Sequence, residues 1–278
     1  MDRKADLHIH TTASDGRMTP QEVIASAIDA GLHAIAITDH DTLTGYLEVS
    51  QTAQARIAIL PGIEFSTDLP QNEVHILGYY LDPTNDELQE ILTRIISDRI
   101  DRTRKIIAKL DELGYNVSFD RVKEIAGRAQ AIGRPHIAAA LIEKKYFVNV
   151  SQVFNSLLAK NGPAYISHFK LSPQDAIALI HKAGGLAILA HPGLVDDNSL
   201  VQDMIRLGVD GIEAIHPAHS EQQVQTYTEW ADKEGLLVTG GSDFHHIPGR
   251  FPEQLGEFCI PYCLVEKLQQ RKSAAYST

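Results

Sequence analysis

The chain has only 2 cysteines, too few for a disulfide framework or a four-cysteine zinc site. Cys259 and Cys263 read as ordinary reduced thiols. No apolar run is long enough for a transmembrane helix. The start, Met1-Asp2-Arg3-Lys4, runs straight into Ala5-Asp6-Leu7-His8 without the apolar core of a signal peptide. The expectation is cytoplasmic residence. Positive charge is also scarce: 25 Lys and Arg against 36 Asp and Glu give a net charge of −11. That balance excludes a protein held to nucleic acid by bulk charge. It leaves room for a nucleotide bound at one local positive site. There is no internal repeat and no low-complexity linker.

What is present is a core and an excess of histidine. Apolar residues make up 44% of 278, enough to fold around a real interior. Histidine occurs 13 times, and imidazole is the commonest metal ligand. Short β-like runs at 5–9, 34–38, 57–65, 74–80, 186–190, 211–215 and 236–240 alternate with amphipathic helical stretches. Thr19, Pro20 and Glu22 spell a capping box with proline at the first helical position, and Gly31 marks that helix's end. The alternation predicts parallel β/α units, and seven strands suggest a barrel rather than an open sheet. Residues 82–164 break the pattern with a long helix from Asp86 to about Leu113 and shorter ones near 118–127, 134–145 and 150–160. The expected organisation is a barrel from 1–81 and 165–278, interrupted by a helical insertion at 82–164. Residues 272–278 read as a frayed tail.

The histidines and acids fall at strand ends. His8 and His10 form H-x-H at the end of the first run, and Asp15 follows in a Ser-Asp-Gly turn. Asp39 and His40 end the second, Glu64 ends the third, and His75 lies in the fourth. His191 ends the fifth, and Asp243 and His245 follow the seventh. In a β/α barrel these ends converge on one face, which holds the active site. Strand alternation puts both rings of H-x-H on one side, so they can chelate one ion. Imidazole and carboxylate without thiolate suit Zn, Mn, Fe or Mg. Six histidines and three acids exceed the needs of one ion, so two or three divalent ions are implied. Asp39 reads equally well as a residue orienting a ligand. His33 and His181 read as solvated, and His216, ending the sixth run, as a candidate for the cavity.

In order, H-x-H, S-D-G, T-D-H, G-x-E, A-H-P and S-D-x-H resemble the PHP family, named for polymerase and histidinol phosphatase. The likeness covers about 1–80 and 165–260. It implies a distorted (β/α)7 barrel with a di- or trinuclear metal site. It implies that His8, His10, Glu64 and Asp243 hold one metal, that Glu64 bridges to a second completed by His75 and His191, and that Asp15, His40 and His245 hold a third. The insertion is similar to that of a subgroup with a Gly-Arg-Pro-His stretch, here Gly133–His136, and a Lys-Leu-Ser-Pro stretch, here Lys170–Pro173. That subgroup is described as phosphatases of nucleoside 3′,5′-bisphosphates such as pAp, some also as 5′→3′ exonucleases on short RNA.

The expected activity is therefore metal-dependent hydrolysis of a small phosphorylated nucleotide, by in-line attack of a metal-bridging hydroxide. Asp243, His191 and His245 are the candidates for catalysis and proton transfer, and manganese is the expected metal. Three divalent ions against three carboxylates would reverse the protein's negative charge locally. A bisphosphate also needs a second anion site. Arg134 and His136 at a helix start, with Lys170 and Arg250, are the candidates. Tyr165 or Phe169 is a candidate for stacking on a base. The competing readings are a 5′→3′ exoribonuclease on short oligonucleotides, a histidinol-phosphate phosphatase, and a non-catalytic metal-binding module. No membrane and no stable protein partner is expected.

Overall fold

The computed structural model describes residues 3–50, 56–69, 73–127, 129, 132–160, 162–167, 169, 171–195 and 197–275. Seven strands match the seven apolar runs: β1 (Lys4–Ile9), β2 (Ala34–Ile37), β3 (Ala58–Asp68), β4 (Glu73–Tyr79), β5 (Leu186–Leu189), β6 (Gly211–Ile215) and β7 (Leu237–Gly240). They form one sheet in the order β7-β6-β5-β4-β3-β2-β1-β8, where β8 is the two-residue strand Ile260–Pro261. Between them lie α1 (Pro20–Asp29), α2 (Thr44–Val49), α7 (Pro173–Lys182), α8 (Asn198–Leu207) and α9 (Glu221–Glu234). The predicted capping box of α1 is present, with Glu22 N donating to Thr19 Oγ1 at 3.2 Å and Thr19 N to Glu22 Oε2 at 2.7 Å.

The expectation of parallel units fails at β4. Strand β4 runs antiparallel to both β3 and β5, while β1/β2/β3 and β5/β6/β7 pair in parallel. The physical reason is the short connection between Asp68 and Glu73, which can join antiparallel strands only. The reversal brings the start of β4 to the rim where the parallel strands end. Glu64 is also not terminal, because β3 continues to Asp68 and Ser66 pairs with His75 in the hairpin.

The barrel closes through the segment after β7. His10 N donates to Phe244 O at 2.9 Å, Phe244 N donates to His8 O at 3.3 Å, and Ile9 bridges Phe244 in parallel. This approach needs glycine: a Cβ on Gly241 would lie 2.3 Å from His8 Cβ and 2.4 Å from His8 N. The other half of β1 pairs with β8 through Lys4 and Ala5. Inside, the Tyr79 hydroxyl donates to Leu7 O at 2.7 Å.

Residues 272–275 are not a tail. They end α10 (Cys263–Ala275), whose Val265 and Leu268 are fully buried against Ala5, Leu7 and Leu237. Burying one such side chain is worth about 2 kcal/mol. Arg271 Nη2 donates to Gly235 O at 2.7 Å and Lys272 Nζ to Gly184 O, so α10 packs at the end where β5 and β7 begin. Residues 276–278 lie outside the described residues.

The insertion is helical, as its periodicity indicates: α3 (Asp86–Glu112), α4 (Phe119–Ala126), α5 (Arg134–Glu143) and α6 (Val150–Val153), the last running into a π-helical turn at Phe154–Leu158. Asn85 caps α3, its side chain accepting from Leu88 N at 3.0 Å. The far half of α3 shares an apolar core with α4–α6 through Ile106, Leu110, Val122, Ile137, Leu141 and Val153. Its near half packs Leu88, Leu92 and Ile95 into the barrel's outer layer. Among the described residues, no helix is long and apolar enough to cross a membrane.

Candidate metal centre

Glu64 is the hub of the rim. It is 1% exposed and surrounded by imidazoles from four strands and their loops. Its Oε2 lies 3.2 Å from His8 Nε2, 3.1 Å from His10 Nε2 and 3.2 Å from His40 Nδ1. Its Oε1 lies 2.7 Å from His75 Nδ1 and 3.0 Å from His191 Nε2. His40 stands beside Glu64 because the chain after β2 bridges β3, with Asp41 N donating to Glu64 O at 3.0 Å. Asp243 Oδ1 lies 3.3 Å from His10 Nε2 and 3.4 Å from His245 Nδ1, and Asp15 Oδ1 lies 3.3 Å from His245 Nε2.

These residues form four overlapping groups whose ligand atoms lie within 4.8 Å of one another: His10/Asp15/His40/His245, His8/His10/Asp243, His8/Glu64/His191 and His40/Glu64/His75. Together they contain the nine residues expected from the sequence, and no others. The donor chemistry fits divalent cations. The Nε2 atoms of His8 and His10 face each other at 3.1 Å, and Glu64 Oε2 is buried without a hydrogen-bond partner. Buried polar atoms are ordinarily paired, so inward-facing lone pairs of this kind mark a place for an ion. Backbone strain falls here too: His191 and Asp243 are non-glycine residues at φ 24° and 52°.

Charge is balanced by protons when no cation is bound. Burial alone would lower the His8 pKa, but Glu213 and Glu64 outweigh it and raise it well above the ordinary value. Burial likewise opposes Asp243 and Glu64 at His10, which is pushed up to about 10. Burial would raise the three carboxylates, yet the imidazoles hold them well below their usual range: His245 and His40 for Asp15, His40 and His8 for Glu64, His245 and His10 for Asp243. His40 is pushed down to about 4 by burial, which keeps it in the ligating form.

Two acids orient this set from behind. Glu213 was not anticipated. Its Oε1 accepts from His8 Nδ1 at 2.9 Å and its Oε2 from His191 N at 2.8 Å. The signal was available, an acid inside the apolar strand Gly211–Ile215. Asp39 accepts from Thr11 N and Thr11 Oγ1 at 2.7 Å each and from Ser14 Oγ at 2.5 Å. It shapes the loop between His10 and Asp15 and belongs to none of the four groups.

A cavity of about 180 Å³ opens beside the cluster. Asp15, His40 and His75 line one part, and Arg99, Arg102 and Arg134 another. Arg134 was expected, and Nη2 pairs with both Glu73 carboxylate oxygens at 3.0 Å. Arg99 and Arg102 were missed, because two arginines in a long polar helix read as solvated. Arg102 is only 6% exposed; its Nε donates to Ile166 O at 2.7 Å, while Nη2 is buried without a partner. Burial and then Arg134 push its pKa down to about 10.

The other expected anion contacts are placed differently. His136 does not line the cavity: it is buried, and Gly133 N donates to its Nδ1 at 3.1 Å. Arg250 reaches Asp243 Oδ2 and approaches His245 Nδ1 at 3.4 Å. Lys170 lies outside the described residues, as does His168. Neither stacking candidate lines the cavity; Arg102 lies over Tyr165 at 5.4 Å and Arg94 over Phe169 at 3.8 Å. A larger cavity, about 570 Å³, is lined by residues of β8 and the ends flanking it and holds none of the metal-group residues.

The PHP domain family matches residues 6–171. The chain belongs to this family. A 3′,5′-nucleoside bisphosphate phosphatase of Chromobacterium violaceum is 35% identical, over 93% of this chain and 93% of that relative. A 5′-3′ exoribonuclease of Haemophilus influenzae is 32% identical, over 88% and 91%. The solved structure of a candidate metal-dependent phosphoesterase from Bifidobacterium adolescentis superposes with a TM-score of 0.86 at 30% identity, covering 96% of each chain.

Proposed function

We propose that this protein is a metal-dependent phosphoesterase that hydrolyses nucleoside 3′,5′-bisphosphates of the pAp type. The observation that carries the reading is the division of one cavity between two anion-seeking ends. The barrel supplies the metal groups, and the insertion supplies Arg99, Arg102 and Arg134. A substrate with two phosphates set a ribose apart has one for each end. The acidic surface and the small volume favour a nucleotide over an oligonucleotide.

Two or three divalent ions, manganese foremost, would be held by His8, His10, Asp15, His40, Glu64, His75, His191, Asp243 and His245. Bound there, they supply Lewis acidity at the phosphoryl oxygens and lower the pKa of water toward neutrality. Glu213 holds the His8 ring so that Nε2 faces Glu64. Arg102 and Arg134 bind the second phosphate, and Arg99 stays tied to Asp41 and Ser66 beside it. His191 and His245 direct Nε2 at Glu64 and Asp15. Asp243 keeps Oδ1 among the imidazoles while its Oδ2 accepts from Arg250, so with His191 and His245 it borders the place where a proton would move. The two free cysteines suit the reducing cytoplasm.

The test is phosphate release from pAp, AMP, histidinol phosphate and a 5′-phosphorylated RNA dimer, with Mn, Mg, Fe and Zn supplied separately. Release from pAp ahead of the other three supports the reading. No release from pAp with any metal refutes it.

A further inference from the structure

Strand β6 ends in the run His216-Pro217-Ala218-His219. Main-chain partners fix the tautomer of both imidazoles. His219 Nδ1 donates to Ala214 O at 2.8 Å, so Nε2 is an acceptor, and Gly193 N donates to it at 3.0 Å. Both of its nitrogens are used, tying the turn after His191 to β6.

His216 is only half used. Ala218 N donates to His216 Nδ1 at 3.1 Å, which leaves the ring proton on Nε2. The residue is 5% exposed, and Nε2 has no hydrogen-bond partner. That N–H faces the metal groups, 3.8 Å from Asp243 Oδ2, with its ring 5.5 Å from that of His191. The distance to Asp243 is too long for a hydrogen bond, and Arg250 already holds that oxygen. A protonated Nε2 cannot ligate a cation, so His216 belongs to the site as a donor. A buried donor left unpaired is costly, and an oxygen delivered between His216 and the metal groups removes the cost.

We infer that His216 is a catalytic residue whose Nε2–H donates to a phosphoryl oxygen of the bound substrate. The inference rests on the phosphoesterase reading above. The role is a hydrogen bond from Nε2–H and involves no proton transfer. Such a donor, aimed before the substrate arrives, strengthens as charge builds on the oxygen.

The test compares His216→Ala and His216→Gln in the manganese-loaded full chain. Glutamine restores an N–H near the place of Nε2. Three quantities are read: bound manganese by elemental analysis, affinity for inorganic phosphate by calorimetry, and kcat on pAp against pH. Manganese content stays at the wild-type level in both variants. His216→Ala loses about tenfold in phosphate affinity and about 10²–10³-fold in kcat, with the shape of the pH profile unchanged. His216→Gln recovers most of both. Loss of manganese, wild-type behaviour of His216→Ala, a lost limb of the pH profile, or no recovery in His216→Gln each overturns the inference. Phosphate binding is read without nucleotide. A wild-type protein inert toward pAp, with phosphate affinity lost only in His216→Ala, would refute the bisphosphate reading and leave this one standing.

Discussion

Replacing Arg102 by methionine tests whether the cavity is built for two phosphates. The side chain sits 6% exposed between Arg99 and Arg134, and its Nη2 has no partner. Burial disfavours the charged form, and repulsion from Arg134 and Arg99 adds to the cost, which is why the Arg102 pKa falls to about 10. An incoming phosphate relieves both. A hydrogen bond to a charged group contributes about 1.5–3 kcal/mol, so Arg102→Met lowers kcat/KM for pAp by about 10- to 150-fold. AMP carries no second phosphate and loses threefold or less by the same reasoning, as a rough bound. The fold is largely kept. Ile166 O loses its donor, at about 1–3 kcal/mol, while removal of a buried cation works the other way. The assay is the ratio of kcat/KM for pAp to that for AMP, with thermal melting as the control. Equal losses on both substrates would place Arg102 in the metal centre or the fold instead, and the two-phosphate argument would fall.

Three further outcomes follow from the same geometry. His8 and His10 have pKa values raised above 6.5, His10 to about 10, so at pH 7 the metal-free protein holds protons there. A ligating imidazole must shed them, so manganese uptake at pH 7 releases protons and apparent affinity rises with pH until about 10; calorimetry in buffers of different ionisation heat measures the release, and none would contradict the ligand assignment. Glu213→Gln, which weakens the hold on His8 Nδ1 and His191 N, lowers manganese affinity about 10- to 100-fold and also lowers the melting temperature of the metal-free protein, because the buried His8 imidazolium loses its counter-charge. Gly241→Ala places a Cβ 2.3 Å from His8 Cβ and lowers the melting temperature by 10 °C or more, as a rough figure, because barrel closure must open; an unchanged melting curve would mean the seam is softer than its contacts indicate.

Periodicity alone located seven strands and the insertion's long helix, since each carries several apolar residues at one spacing. It could not show the direction of β4, because strand alternation reads the same both ways; only the short link from Asp68 to Glu73 carries that information. Strand β8, with two residues, has no period to read. The candidate ligands were legible as a set because histidines and carboxylates recur at the strand ends and the motifs are ordered. Arg99 and Arg102 were not, since a guanidinium on a helix is ordinarily solvated and nothing local shows that Ile166 and Arg134 will enclose it. His136, picked out by its helix-start position, is buried and does not line the cavity, and its Nδ1 accepts from Gly133 N.

The net charge of −11 and a phosphate-seeking site are compatible because the two act at different ranges. Surface carboxylates set the far field, which is screened within about 8–10 Å in salt. The inner members of the metal groups are buried, with His8 and His10 at 0% exposure, so cations held there would act through poorly screened protein and dominate inside the cavity. The acidic exterior then discriminates. A long polyanion must cross the repulsive surface with every phosphate, whereas a nucleoside bisphosphate, on the proposed reading, brings only two. On the proposed reading, the barrel's metal groups and the insertion's buried and half-buried arginines do together what a basic surface would do less selectively, and raising ionic strength should speed hydrolysis of a 5′-phosphorylated RNA decamer relative to pAp. A fall in that relative rate would show instead that the exterior attracts the longer substrate.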